Sequence, residues 1–154
     1  PQQAQQRAAQ TDARTHDFAA VRTYASPYVG NNSNTVNLFY NLPLGDVPAR
    51  FEIENDTQLR ICYQAAAAEL GTDKVRRDLI YDSAAAFALI DNLSAVHYEF
   101  TDGSYTFTRA QMETVLGAPL SALCDGAAMH DRVQARLEDA EFVASFYAQT
   151  QSER

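Results

Sequence analysis

Asp102-Gly103 stands between two runs that alternate aromatic with polar side chains, and no other stretch restricts the fold as tightly. A two-residue turn there pairs Thr101 with Ser104, Phe100 with Tyr105, Glu99 with Thr106 and Tyr98 with Phe107. Successive side chains of a strand point to opposite faces. The four rings therefore share one face, and His97, Glu99, Thr106 and Thr108 share the other. A slip of one residue would scatter them. The aromatic face needs a cover, and the rest of the chain must supply it.

Residues 50–63 make a second hairpin. A two-residue turn at Asp56-Thr57 would set Ile53 against Arg60 and mix the faces. A three-residue turn at Asn55-Asp56-Thr57 instead pairs Ile53 with Leu59, Phe51 with Ile61 and Glu52 with Arg60, a cross-strand ion pair. Glu52, Arg60 and Cys62 then share the less buried face.

The remaining apolar spacing is helical. Phe18, Val21 and Tyr24 predict a turn of helix before Ser26-Pro27. A short helix is expected from Asn34 to Tyr40, with Val36, Phe39 and Tyr40 toward the core. Tyr63 to Leu70 forms an Ala-rich turn before Gly71. A stronger helix spans Asp82 to Asp91, capped by Asp82 or Ser83, and Asn92 takes the left-handed stop. Thr108-Arg109-Ala110-Gln111 has the capping-box pattern for a helix that runs to Leu116 and ends at Gly117. Gly126 to about Asp139 buries Met129, Val133 and Leu137, and Phe142 to Tyr147 continues it or turns separately. The expected fold is α+β, an antiparallel sheet built from two β-hairpins packed against several α-helices. Residues 26–154 form a single domain. Residues 1–25 form an N-terminal tether or helical extension, since the first sixteen carry no large apolar side chain.

Composition bounds the function. The chain has 154 residues, 46% of them hydrophobic, and a net charge of −8. That suits one globular domain and disfavours a polyanionic partner such as nucleic acid. There is no Gly-rich phosphate loop, no HExxH and no local nucleophile signature, so no cofactor is expected. Cys62 and Cys124, with no Cys/His cluster, leave open a disulfide or two free thiols.

Three stretches, taken together in order and spacing, carry a resemblance. They are Tyr28-Val29-Gly30-Asn31-Asn32-Ser33 with Asn41-Leu42-Pro43-Leu44; Phe87-Ala88-Leu89-Ile90-Asp91-Asn92-Leu93 with Val96-His97-Tyr98; and Tyr105-Thr106-Phe107-Thr108-Arg109 with Glu113. The chain resembles a bacterial domain-of-unknown-function family from exported lipoproteins and membrane-anchored, sensor-type proteins of Gram-positive bacteria. It departs from that family at Asp56-Thr57-Gln58-Leu59, where a Pro-Tyr-Gly element is usual. The resemblance implies an extracytoplasmic, cell-surface location and assigns no activity. Membrane attachment would run only through an N-terminal anchor.

The candidate binding residues are Tyr28, Asn31, Asn32 and Arg109. The loop at 28–33 offers an aromatic ring and several amides to a sugar or peptide, although turn and helix-cap chemistry needs the same residues. Arg109 opens a helix, where a cation is unfavourable, and so calls for a carboxylate partner, internal or external. His97 with Glu99, and Glu52 with Glu54, each share a strand face. The first pair suits a metal or an acid–base couple, or else a solvated polar face; the second suits two carboxylates acting on a glycosidic bond, or else ion pairing and exposure. The expectation is a non-catalytic extracytoplasmic binding or sensing module with an envelope ligand or protein partner. The alternatives are a cell-envelope hydrolase using strand-face carboxylates (Glu52, Glu54, Glu99) and a purely structural interaction domain.

Overall fold

The computed structural model describes residues 9–151. The first eight residues of the expected tether or helical extension lie outside them. Four strands, β1 (Ala49–Glu54), β2 (Gln58–Tyr63), β3 (Ala95–Phe100) and β4 (Gly103–Thr108), form one sheet in the order β1-β2-β3-β4. The helices lying wholly among the described residues are α1 (Asn32–Tyr40), α2 (Ala67–Leu70), α3 (Thr72–Leu89), α4 (Arg109–Leu116), α5 (Gly126–Arg132) and α6 (Ala140–Thr150), with short 3-10 turns between some of them. The fold is α+β.

The β1–β2 register is the expected one: Phe51 opposes Ile61, Glu52 opposes Arg60 and Ile53 opposes Leu59. Asn55 and Asp56 take left-handed φ values of 53° and 65°, which Asn and Asp tolerate better than most residues. The ion pairs differ from the expectation. Arg60 turns to Glu54 and Glu99, while Glu52 pairs with Arg50.

The sheet is mixed rather than wholly antiparallel, because β2 and β3 run parallel. Its cause is the length of α3. The helix starts at Thr72, ten residues before the expected Asp82, and its 18 residues span about 27 Å at 1.5 Å each. A six-residue strand covers only about 20 Å. The helix therefore carries the chain back past the sheet, as a parallel crossover requires. Asp82 and Ser83 are consequently buried mid-helix residues and not caps.

The second hairpin keeps its faces but shifts its turn. Tyr98 opposes Tyr105, Val96 opposes Phe107 and Phe100 opposes Gly103, so the loop is Thr101-Asp102. A shift by two preserves the sidedness, and Tyr98, Phe100, Tyr105 and Phe107 still share one face. Asp102 is recruited elsewhere: its carboxylate accepts from the Ala67 and Ala68 amides at 2.8 and 3.2 Å, capping α2. Three smaller expectations change too. Tyr40 is 56% exposed. Asn92 serves through its side chain, accepting from Val29 N at 2.7 Å, and its φ is not positive. The helix after Gly126 breaks at Val133 into α5 and a 3-10 turn over Gln134–Glu138. The capping box at Thr108 and Gln111 and the left-handed Gly117 stand as expected.

The core lies between the aromatic sheet face and the helices. Tyr98 stacks near Tyr63, meets Phe107 edge-on and exchanges a hydrogen bond with Ser83 of α3 at 2.9 Å. The N-terminal arm joins this core. Ala13, His16, Phe18 and Val21 are buried. Ala13 N donates to Asp78 at 2.9 Å, and the His16 ring bonds Tyr81 Oη at 2.8 Å and the Asn41 carbonyl at 2.7 Å. Gln134 donates to the carbonyls of Ala13 and His16, so the arm is held from both sides. No helix among the described residues is long and apolar enough to cross a membrane.

Candidate functional site

The loop at 28–33 is built to hold Tyr28 outward. Ser26 Oγ binds both the amide and the carbonyl of Tyr28 at 3.2 Å, and Thr35 Oγ1 donates to the Val29 carbonyl at 2.8 Å. Val29 is buried beneath, and Tyr28 is 65% exposed. Asn31 is the N-cap residue of α1 but makes no side-chain cap bond, and Asn32 begins the helix beside it. Both are exposed. None of the three lines the concavity between α3 and α6 described below.

Arg109 reaches the turn that follows α3 and serves a different purpose. Its guanidinium donates to the carbonyls of Leu93 at 2.9 Å, Ile90 at 2.8 Å and Asp91 at 3.3 Å, over the ring of Phe87. The expected carboxylate partner is replaced by the carbonyl end of α3, where the helix dipole is negative. Burial lowers the Arg109 pKa, and the nearby Glu113 and Asp91 act against that shift. The residue ties α4 to the end of α3.

The strand-face carboxylates are engaged in ion pairs. Arg60 bonds Glu54 at 2.8 Å and also pairs with Glu99. The hydrogen bond from Arg60 holds Glu54 below the usual glutamate range, whereas a general acid needs a raised pKa. His97 is bonded to Thr106 Oγ1 and Gln58 Oε1, each at 3.0 Å, and burial lowers its pKa. Cys62 and Cys124 are free thiols raised by burial, the first facing Glu99 and the second donating to the Ala88 carbonyl. Among the described residues, no group of three or more His, Cys, Asp or Glu could hold a metal ion.

The concave feature lies where the first half of α3 meets the start of α6. It has a volume of about 310 Å³, at the small end of ligand pockets. Leu137, Ala140, Val143 and Ala144 supply apolar lining, Arg14, Arg76 and Arg77 supply guanidinium groups, and Asp73 and Glu138 supply carboxylates. Arg76 lies over the Tyr147 ring at 4.4 Å, whose Oη donates to the Arg76 carbonyl at 2.7 Å. Arg14 is shared between Asp12 at 3.1 Å and Glu138 at 3.8 Å. Among the described residues, neither Arg76 nor Arg77 has a carboxylate within ion-pair distance, and the buried Nε of Arg77 has no hydrogen-bond partner. A guanidinium donates in a fork that matches an oxyanion, so this pocket can take an anion that the strand face cannot. Sequence reasoning missed it. The signal was the Arg76-Arg77 doublet, set in an acidic chain at helical spacing from Asp73.

A four-stranded mixed sheet with its aromatic face against helices, and a small charged pocket between two of those helices, places the molecule among α+β domains. Within that class the chain belongs to the family described as a domain of unknown function, DUF4825, whose model matches residues 21–110. No curated protein and no solved structure is a match. The matched region contains α3 with Asp73, Arg76 and Arg77. Arg14 precedes it, and the wall from Leu137 to Ala144 follows it.

Proposed function

We propose that the chain is a non-catalytic binding or sensing module of an extracytoplasmic, membrane-anchored bacterial protein, and that its ligand carries an anionic group. The location rests on the resemblance to exported and membrane-anchored proteins. The binding role rests on one observation: Arg76 and Arg77 line a pocket, and among the described residues neither has a carboxylate within ion-pair distance. In a chain of net charge −8, three arginines against two carboxylates leave the pocket lining with a small positive excess, which favours a small anionic group over a polyanion. Tyr28, Asn31 and Asn32 form a second exposed surface that suits a larger envelope partner.

Nitrogen-15 NMR of the arginine Nε–Hε groups tests the binding role. Titration with acetate and with inorganic phosphate is expected to move the Arg77 resonance, and Arg76→Gln is expected to weaken the response about tenfold. Arginine resonances unmoved by either anion and by a dipeptide with a free carboxylate would refute it. For the location, fractionation of cells expressing the full-length gene product should place it with the membrane, facing outward. Recovery in the cytosol would overturn that part.

A further inference from the structure

We infer that the ligand of this pocket is a small zwitterion, an amino acid or short peptide with free amino and carboxyl termini. This inference rests on the anion-binding reading above and narrows it.

The pocket holds unpaired charge of both signs. Asp73 is three and four residues before Arg76 and Arg77 on α3, the spacing at which an acid and a base on a helix ordinarily meet. They do not meet here: no ion pair joins Asp73 to either arginine, although all three line one cavity. On the opposite wall Glu138 is held only at 3.8 Å by Arg14, and its side chain is 68% exposed. A lone phosphate or acetate would satisfy the guanidinium groups while sitting beside two carboxylates that repel it. A molecule that presents a carboxylate to Arg76 and Arg77 and an ammonium to Asp73 and Glu138 meets both demands.

Size and polarity restrict the ligand further. At about 30 Å³ per water, the cavity of about 310 Å³ equals roughly ten waters, which suits an amino acid or a dipeptide. Leu137 and Val143 offer an apolar wall for a short aliphatic side chain. Arg76 is already held against Tyr147, which reduces the ordering cost of binding.

Alanyl-valine, its N-acetylated form and its C-terminal amide are the probes, with inorganic phosphate and acetate as plain anions, followed by calorimetry and by the arginine NMR signals. The free dipeptide is expected to bind, and blocking either terminus to weaken it about tenfold, the cost of one charge-assisted contact. Asp73→Asn should erase the penalty for acetylation while keeping the penalty for amidation. Glu138→Gln, on the exposed rim, should do the same in part and provides a second variant should Asp73→Asn fold poorly. Equal binding of free and acetylated dipeptide would overturn the inference and leave an anion site standing. No response to dipeptide, phosphate or acetate would overturn both.

Discussion

At the scale of single residues, the least expected is Asp82. It lies in the middle of α3, fully buried, and among the described residues neither carboxyl oxygen has a hydrogen-bond partner. Burial first, and then the neighbouring Asp78, push its pKa well above the ordinary 3.8, while Lys74 pulls weakly the other way. The folded state therefore keeps a proton that the unfolded state releases above pH 3.8. Stability from this group is complete at low pH and is lost as pH rises, at about 1.4 kcal/mol per unit until the folded-state pKa is passed. Asp82→Asn removes that dependence. The variant should match the parent near pH 4 and melt several degrees higher at pH 8, as thermal unfolding across that range will show. An equal melting temperature at both pH values would contradict the assignment. Arg109 gives the opposite result. Its three carbonyl contacts make it a staple, so Arg109→Ala should cost about 3 kcal/mol in urea unfolding, and Arg109→Lys should recover only part, since an ammonium lacks the fork.

At the scale of elements, what could be read from the sequence was sidedness, and what could not was anything fixed by a distant partner. Alternation in residues 95–108 dictates which side chains face inward whatever the turn, because a shift by two leaves parity intact. The turn itself was misplaced because Asp102 caps α2, some 35 residues earlier in the chain. The start of α3 was missed for a related reason: Asp78 and Asp82 look like surface or cap residues, and only Ala13, Lys74 and the surrounding core make them interior. Two glycines separate the readings. Gly103 has no positive φ and nothing near the position of a Cβ. Gly103→Ala should therefore change stability by less than about 0.5 kcal/mol, where a left-handed DG turn would predict a clear loss. Gly45 is the reverse, where an added Cβ would overlap the Tyr40 carbonyl oxygen. Gly45→Ala should lower the melting temperature markedly, since backbone must move to admit it. Chemical denaturation of both variants decides the pair.

At the scale of the whole molecule, the pocket was illegible because its walls come from three separated parts of the chain, and none of them has a motif. Its integrity depends on the arm. Lys74 donates to the Thr11 carbonyl at 2.7 Å and pairs with Asp78, whose pKa is pushed up to about 6 by burial against the opposing pull of Lys74 and Ala13 N. Deleting residues 1–16 would strip Ala13 from Asp78 and His16 from Tyr81. We expect a lower melting temperature and loss of the acetate response together, because Arg14 leaves with the arm. Retention of both would show that the wall from Leu137 to Ala144 suffices. Gln151 has an effect of another kind. Its amide grips both the N–H and the carbonyl of Thr106 at the outer margin of β4, using up groups that a further strand would need. A strand arriving along that margin would have to displace the Gln151 amide before it could pair with Thr106. The end of the chain thus acts as a clasp on the sheet's last strand.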